Sequence, residues 1–257
     1  MSGAGHIEVE REGAVARVWL NRPPLNVLDI ATLEELSAAL DSLPAPPHVH
    51  FLIFQGRGDR GFSAGVEVRD HTPDRVGQML ATFHAVFRKL WASDWITVAA
   101  VHGNCLGGGM ELATFCDFLI ATHTTRFGQP EIKLGCFPPV AAVTLPALIG
   151  PRRALELILT GRTLTAAEAN ALGLVTQVVG ENELESAVGK LLGELQALSP
   201  TVLALTRKAV LRASGLDFDR ALTEMEELYL GTLMKTGDAM EGIRAFIEKR
   251  PPVWAGR

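Results

Sequence analysis

Apolar residues recur with two different periods along the chain, and the places where one period gives way to the other divide it into elements. Two short alternating stretches come first, about His6–Glu10 and Val15–Leu20, joined at the turn signal Glu12-Gly13. Asp29 then stands as an N-cap before a helix with Leu33, Leu36, Leu40 and Leu43 on one face, and the run Pro44-Ala45-Pro46-Pro47 stops it. A continuous apolar run over 48–54 reads as a buried strand. From Asp74 to Trp91, Val76, Leu80, Phe83, Phe87 and Leu90 recur at three- and four-residue steps, which predicts an amphipathic helix. Further apolar runs at 96–101, 117–121 and 174–179 predict strands separated by helices, so the pattern is α/β with parallel pairing. Beyond Val179 only helical periodicity remains. Thr165 and Glu168 form a capping box, Gly173 closes that helix, Asn182 is expected to cap a helix over Glu183–Leu198, and Ser199-Pro200 opens another. The last helices are expected at about 218–235 and 238–249.

Composition narrows the class. The chain has 257 residues, 47% of them hydrophobic, and a net charge of −5, so it lacks the basic footprint of a nucleic-acid binder. Cys105, Cys116 and Cys136 form no CxxC pair and read as reduced thiols in a cytoplasmic protein. The charged start of the chain carries no apolar signal region, and the apolar run Leu134–Gly150 holds Pro138, Pro139 and Pro146, so no membrane span is expected. No His, Cys, Asp or Glu cluster has metal-ligand spacing.

The stretch Val98–Ile132 carries the chemistry. An apolar strand breaks at His102-Gly103-Asn104, passes through Gly107-Gly108-Gly109 and restarts as the helix beginning Met110-Glu111-Leu112. Glycines at a strand-to-helix junction bare the first N–H groups of a helix, where negative charge is favoured. It is neither a Walker loop nor GxGxxG, and a plain flexible turn is the alternative. Glu111 and Glu131 both sit among apolar neighbours, where a carboxylate is costly unless paired or used. Together they form a candidate acid–base pair. A Ser63, His102, Asp117 triad is disfavoured because no GxSxG surrounds a serine. His6, His71 and His123 read as solvated, and His84 and His102 as core or supporting residues.

The motifs LNRPPLN at 20–26, FSAGVEV at 62–68, VAAVHGNCLGGGMELATFCDFLIAT at 98–122, FGQPEIKLG at 127–135, TGRTLTAAEANALGLVTQVV at 160–179 and EGIRAFIEKR at 241–250 resemble those of the enoyl-CoA hydratase/isomerase (crotonase) superfamily over nearly the whole chain. The resemblance implies a spiral of ββα turns over residues 1–195 and a C-terminal helical trimerisation domain over 196–257, assembled as a trimer or a dimer of trimers. It implies an oxyanion hole made by the backbone N–H groups of Val66 and Gly108. It maps the two catalytic carboxylates of the hydratases to Glu111 and Glu131, and coenzyme A contacts to Arg22, Ala64 and Lys249. No cofactor is implied beyond the coenzyme A of the substrate, nor is a nucleic-acid or membrane partner. The implied reaction is addition of water to an α,β-unsaturated acyl-CoA, with Glu111 deprotonating the water and Glu131 delivering a proton to Cα. A double-bond isomerase on the same fold is the alternative, and an RNA-binding crotonase-fold module the non-enzymatic one.

One segment departs from the common hydratase pattern. Cys136-Phe137-Pro138-Pro139-Val140-Ala141-Ala142-Val143-Thr144-Leu145-Pro146 replaces a glycine-rich turn and a polar Gln-Arg, so a stiffer, more apolar wall is expected beside Glu131. With DHTPDRVGQML at 70–80 and 227–250, it is similar to the branch that hydrates cyclohexa-1,5-diene-1-carbonyl-CoA.

Overall fold

The computed structural model describes residues 5–44 and 48–256. Residues 45–47 of the proline stop and the first four residues of the charged start lie outside them. Strands β1 (Ile7–Glu12) and β2 (Val15–Leu20) form the expected hairpin. The Asp29 carboxylate accepts from Thr32 N–H (2.8 Å) and starts α1 (Ile30–Ser42), which buries Leu33, Leu36 and Leu40.

From β3 (Phe51–Gly56) onward the chain repeats one unit: a long strand, a short strand, a helix. The first unit is β3, β4 (Gly61–Ser63) and α2 (Val76–Ala92); the second is β5 (Ile96–Val101), β6 (Asn104–Leu106) and α3 (Gly108–Phe115). The third is β7 (Phe118–Thr122), β8 (Arg126–Gly128) and α4 (Pro139–Ile149). Helix α5 (Pro151–Thr160), strand β9 (Thr163–Thr165), helix α6 (Ala166–Ala171) and strand β10 (Gln177–Val179) complete the core. Long strands collect in one sheet, ordered β1-β2-β3-β5-β7-β10 and parallel from β2 onward. Short strands collect in a second sheet, β4-β6-β8-β9, with β9 antiparallel. The alternation of long and short strands thus generates the ββα spiral. β3 and β5 are buried at every residue, as interior parallel strands covered on both faces must be.

Helix α2 packs Phe83 edge-on to Phe87 (4.8 Å between centroids), and Phe87 in turn meets Phe115 at the end of α3 (5.1 Å). These aromatic contacts fix the helix that carries Glu111 against the helix that follows Val66.

Helix α7 (Leu184–Gln196) covers the other face of the large sheet with Leu184, Val188 and Leu192. Asn182 does not cap it. The Glu183 carboxylate instead reaches back to Gly180 N–H (2.8 Å), so the turn is closed one residue later than the sequence suggested. Helices α8 (Pro200–Ala213), α9 (Phe218–Gly231) and α10 (Gly237–Ile247) follow. Ser199 caps α8 as expected. Arg207 of α8 inserts into the core. It donates from Nε to both carboxylate oxygens of Asp117 (2.8 Å each) and from its other nitrogens to the carbonyls of Ser93 (3.0 Å) and Leu90 (3.2 Å). α8 is thereby anchored to the loops around β5 and β7. Phe218, Leu230, Phe246 and Ile247 stand exposed on α9 and α10.

Candidate active site

Gly107 ends β6 with φ 51° and ψ −130°, a combination that only glycine holds without strain. Its N–H donates to Gly128 O (2.9 Å), tying the glycine turn to β8. Gly108 is then the first residue of α3, so its N–H has no acceptor within the helix. Val66 lies in a neighbouring loop held by Leu28, which donates to Gly65 O (2.9 Å) and accepts from Glu67 N–H (3.1 Å). Those bonds flank Val66 and leave its own N–H free. Among the described residues neither the Val66 nor the Gly108 N–H has an acceptor. The two residues touch: a Cβ on Gly108 would stand 2.7 Å from Val66 Cγ2. Two unused amides therefore lie side by side at the start of α3.

Glu111 sits in the first turn of that helix and is 2% exposed. One carboxylate oxygen accepts from Ala141 N–H (2.7 Å) at the start of α4. Burial pushes its pKa up to about 7, the negative charge of Glu131 adds to the rise, and the N–H groups of Ala141 and Val140 oppose it. The apolar segment 136–146 does more than wall the site, because its helix supplies the donor that holds Glu111. The sequence suggested a wall beside Glu131. The segment also meets that residue, Cys136 N–H donating to Glu131 O (3.1 Å).

Glu131 comes from the short 3₁₀ turn Pro130–Leu134 and is half-buried. Its carboxylate faces the glycine turn: a Cβ on Gly107 would lie 2.6 Å from Glu131 Oε1. Burial raises its pKa as well, while its own N–H and the charge of His71 oppose the rise. Gln129 is fully buried. With its amide turned to suit its neighbours, its nitrogen donates to both Glu131 oxygens at 3.2 Å. Reading the sequence by residue type missed Gln129. The available signal was a polar residue locked between Phe127 and Pro130, two positions before a candidate carboxylate. His71 is likewise not the solvated residue expected. It is half-buried, its Nδ1 lies 3.0 Å from Glu67 O, and its charge acts on Glu131.

The remaining candidates are spread more widely. Arg22 turns onto its own loop, pairing with Asp29 (2.8 Å) and donating to Val27 O (3.1 Å). Ala64 N–H donates to Leu25 O (2.9 Å). Lys249 is exposed just past α10, in the C-terminal helical part. No triad forms. Ser63 donates to Asn26 O (2.7 Å), His102 meets Gly58 O (2.9 Å), and Asp117 is taken by Arg207. Among the described residues no cluster of His, Cys, Asp and Glu could hold a metal, and no helix is long and apolar enough to cross a membrane.

Residues 10–257 match the family model described as enoyl-CoA hydratase/isomerase. The chain belongs to this family. It is 34% identical over 249 residues to cyclohexa-1,5-dienecarbonyl-CoA hydratase of Thauera aromatica, covering 97% of this chain and 96% of the relative. It is 36% identical over 250 residues to crotonyl-CoA hydratase of Syntrophomonas wolfei, covering 95% and 96%. The solved enoyl-CoA hydratase of Bacillus anthracis superposes with a TM-score of 0.91 at 31% identity, over 98% of this chain and all of that one. The ββα spiral is thus the crotonase fold, and the enzyme class of its relatives is that of a hydro-lyase.

Proposed function

We propose that the protein adds water reversibly across the double bond of an α,β-unsaturated acyl-CoA thioester. The observation that carries this reading is the placement of two carboxylates with raised pKa, Glu111 and Glu131, around the glycine turn at which two backbone amides lie unused. The amides of Val66 and Gly108 donate to the thioester oxygen, where negative charge develops as the double bond is attacked; losing one such donor typically costs about 3–4 kcal/mol. Glu111 takes a proton from the water that attacks Cβ, and Glu131 delivers one to Cα. The Glu131 charge raises the Glu111 pKa, so the two are coupled, and water leaves again by the same route in reverse. No cofactor enters, because coenzyme A is part of the substrate.

The finer reading is a cyclic dienoyl thioester. It is supported by the likeness to the Thauera aromatica hydratase and by the Pro- and Ala-rich segment that holds Glu111, which offers an apolar acyl group few polar competitors. A panel of acyl-CoA substrates, linear enoyl against cyclic dienoyl, assayed for hydration tests both levels. Hydration of the cyclic substrate at the higher kcat/KM supports the finer reading; a preference for crotonyl-CoA removes it. Inactivity on every unsaturated thioester removes the function. Self-association is part of the reading, since α9 and α10 expose Phe218, Leu230, Phe246 and Ile247. Light scattering on the purified protein is expected to give a trimer or hexamer.

A further inference from the structure

The amide side and the carboxylate side of the site meet at one glycine. A Cβ on Gly107 would stand 2.6 Å from Glu131 Oε1 and 3.8 Å from the Cα of Gly65, the residue before Val66. From Val66 the chain runs into the short 3₁₀ turn Val68–His71, and this turn is fixed at more points than a plain connection needs. Glu67 N–H donates to Leu28 O (3.1 Å). Asp70 is buried and accepts from Ile30 N–H (2.9 Å) at the start of α1 and from Arg75 Nε (2.8 Å) just before α2. A carboxylate so buried is tolerated only with such donors around it, so the turn is locked to the start of both helices.

His71 closes the turn. Its Nδ1 lies 3.0 Å from Glu67 O, which also accepts from Asp70 N–H (3.1 Å). A carbonyl only accepts, so Nδ1 carries a proton and Nε2 is the nitrogen left over. Nε2 has no hydrogen-bond partner among the described residues, nor is it buried. Of the charged groups on its own turn, Asp70 is held by Ile30 and Arg75, and the Glu67 carboxylate accepts from Arg69 N–H (3.2 Å). The carboxylate on which the His71 charge acts is Glu131, whose proton it makes easier to lose, and Glu131 acts in turn on Glu111. The imidazole thus touches the loop of one unused amide and faces the carboxylate on the other side of Gly107, yet neither oxyanion donation nor the acid–base pair uses it.

We propose that His71 is a positioning residue of the hydration site: its Nδ1 clamps the turn that follows the Val66 amide while its positive charge faces Glu131, so that the oxyanion hole and the carboxylate that protonates Cα are set by one side chain. The inference rests on the hydration reading above and adds to it the group through which two of its parts are coupled.

The test pairs two substitutions in the full-length enzyme. His71→Asn keeps an N–H able to reach Glu67 O and removes the charge; His71→Leu removes both. A ¹³C titration of labelled glutamate should show Glu131 holding its proton to higher pH in both variants than in wild type. Hydration of an unsaturated acyl-CoA should lose about threefold in kcat with His71→Asn and about tenfold with His71→Leu, with KM nearly unchanged. In a Glu131→Gln background His71→Asn should cost nothing further, because the carboxylate it acts on is already gone. A Glu131 titration that stays in place in His71→Asn, or a kcat loss of the same size with Glu131→Gln present, would make His71 an ordinary part of the loop and overturn the proposal. So would a His71→Leu enzyme with wild-type kcat. Should His71→Leu not fold, His71→Asn decides. Should the wild type hydrate nothing, the functional reading fails separately, and the titration of Glu131 in wild type and His71→Asn still reads the coupling.

Discussion

The Glu131 carboxylate occupies the space in which a side chain on Gly107 would stand, with a constructed Cβ only 2.6 Å from its Oε1. The glycine that opens α3 and the carboxylate that follows β8 are therefore fitted to one another. Gly107→Ala should displace Glu131 and strain a backbone at φ 51°. Activity is expected to fall by about 10²-fold or more, since a displacement near 1 Å can cost that much. Circular dichroism and kcat measured on the same preparation check it.

Neutralising either carboxylate should be costly. Glu111→Gln and Glu131→Gln are each expected to lose about 10²–10⁴-fold in kcat, the usual contribution of a positioned acid or base. Because the Glu131 charge raises the Glu111 pKa, Glu131→Gln should also lower it from about 7. A ¹³C titration of labelled glutamate follows that shift directly.

Glu111 also weighs on stability with a definite sign. Its folded pKa of about 7 lies above the ordinary 4.5, so the native state keeps a proton that the unfolded chain has lost. Stability is therefore highest below about pH 4.5 as far as this group is concerned, and declines as pH rises toward 7. Glu111→Gln should remove that decline and make the protein more stable than wild type at pH 8, by up to about 3 kcal/mol. Urea unfolding of both proteins at pH 5 and pH 8 measures the difference.

Gln129 is the orienting group for Glu131. Gln129→Met removes donors to the ionised carboxylate, so the Glu131 pKa should rise further and the acidic limb of the rate profile should move upward. Activity is expected to fall about tenfold, within the range seen for lost charge-assisted hydrogen bonds. A pH profile of kcat/KM distinguishes this from simple unfolding.

Arg207 tests the anchoring of the helical end. Arg207→Ala leaves Asp117 without its cation and empties bonds to the carbonyls of Leu90 and Ser93. Breaking one side of such a buried pair typically costs about 3–5 kcal/mol. Denaturant unfolding should show a loss of that order.

These residues also mark what the sequence disclosed. The long strands were legible because continuous apolar runs such as Phe51–Phe54 and Ile96–Val101 have no other use in an α/β chain, and α2 was legible from its spaced aromatics. The second sheet was not, because its strands span three residues each and carry no period to read. The expected Asn182 cap failed because Glu183, its neighbour, can reach the same turn from the other side. In the site, Glu111 and Glu131 stood out as carboxylates in apolar surroundings. Gln129 and Ala141 did not, since one acts through an amide and the other through a backbone N–H, and neither is visible until the fold brings β8 and α4 against α3. His71 looked like a solvated residue until its place beside the Val66 loop gave its charge a target.

The most direct test of the paired-carboxylate account is hydration of an unsaturated acyl-CoA in H₂¹⁸O, run with wild type, Glu111→Gln and Glu131→Gln. The account predicts label on Cβ of the wild-type product and a loss of at least about 100-fold in labelling rate for each variant. Labelling at the wild-type rate by either variant, or a wild-type product with a shifted double bond and no label, would contradict it.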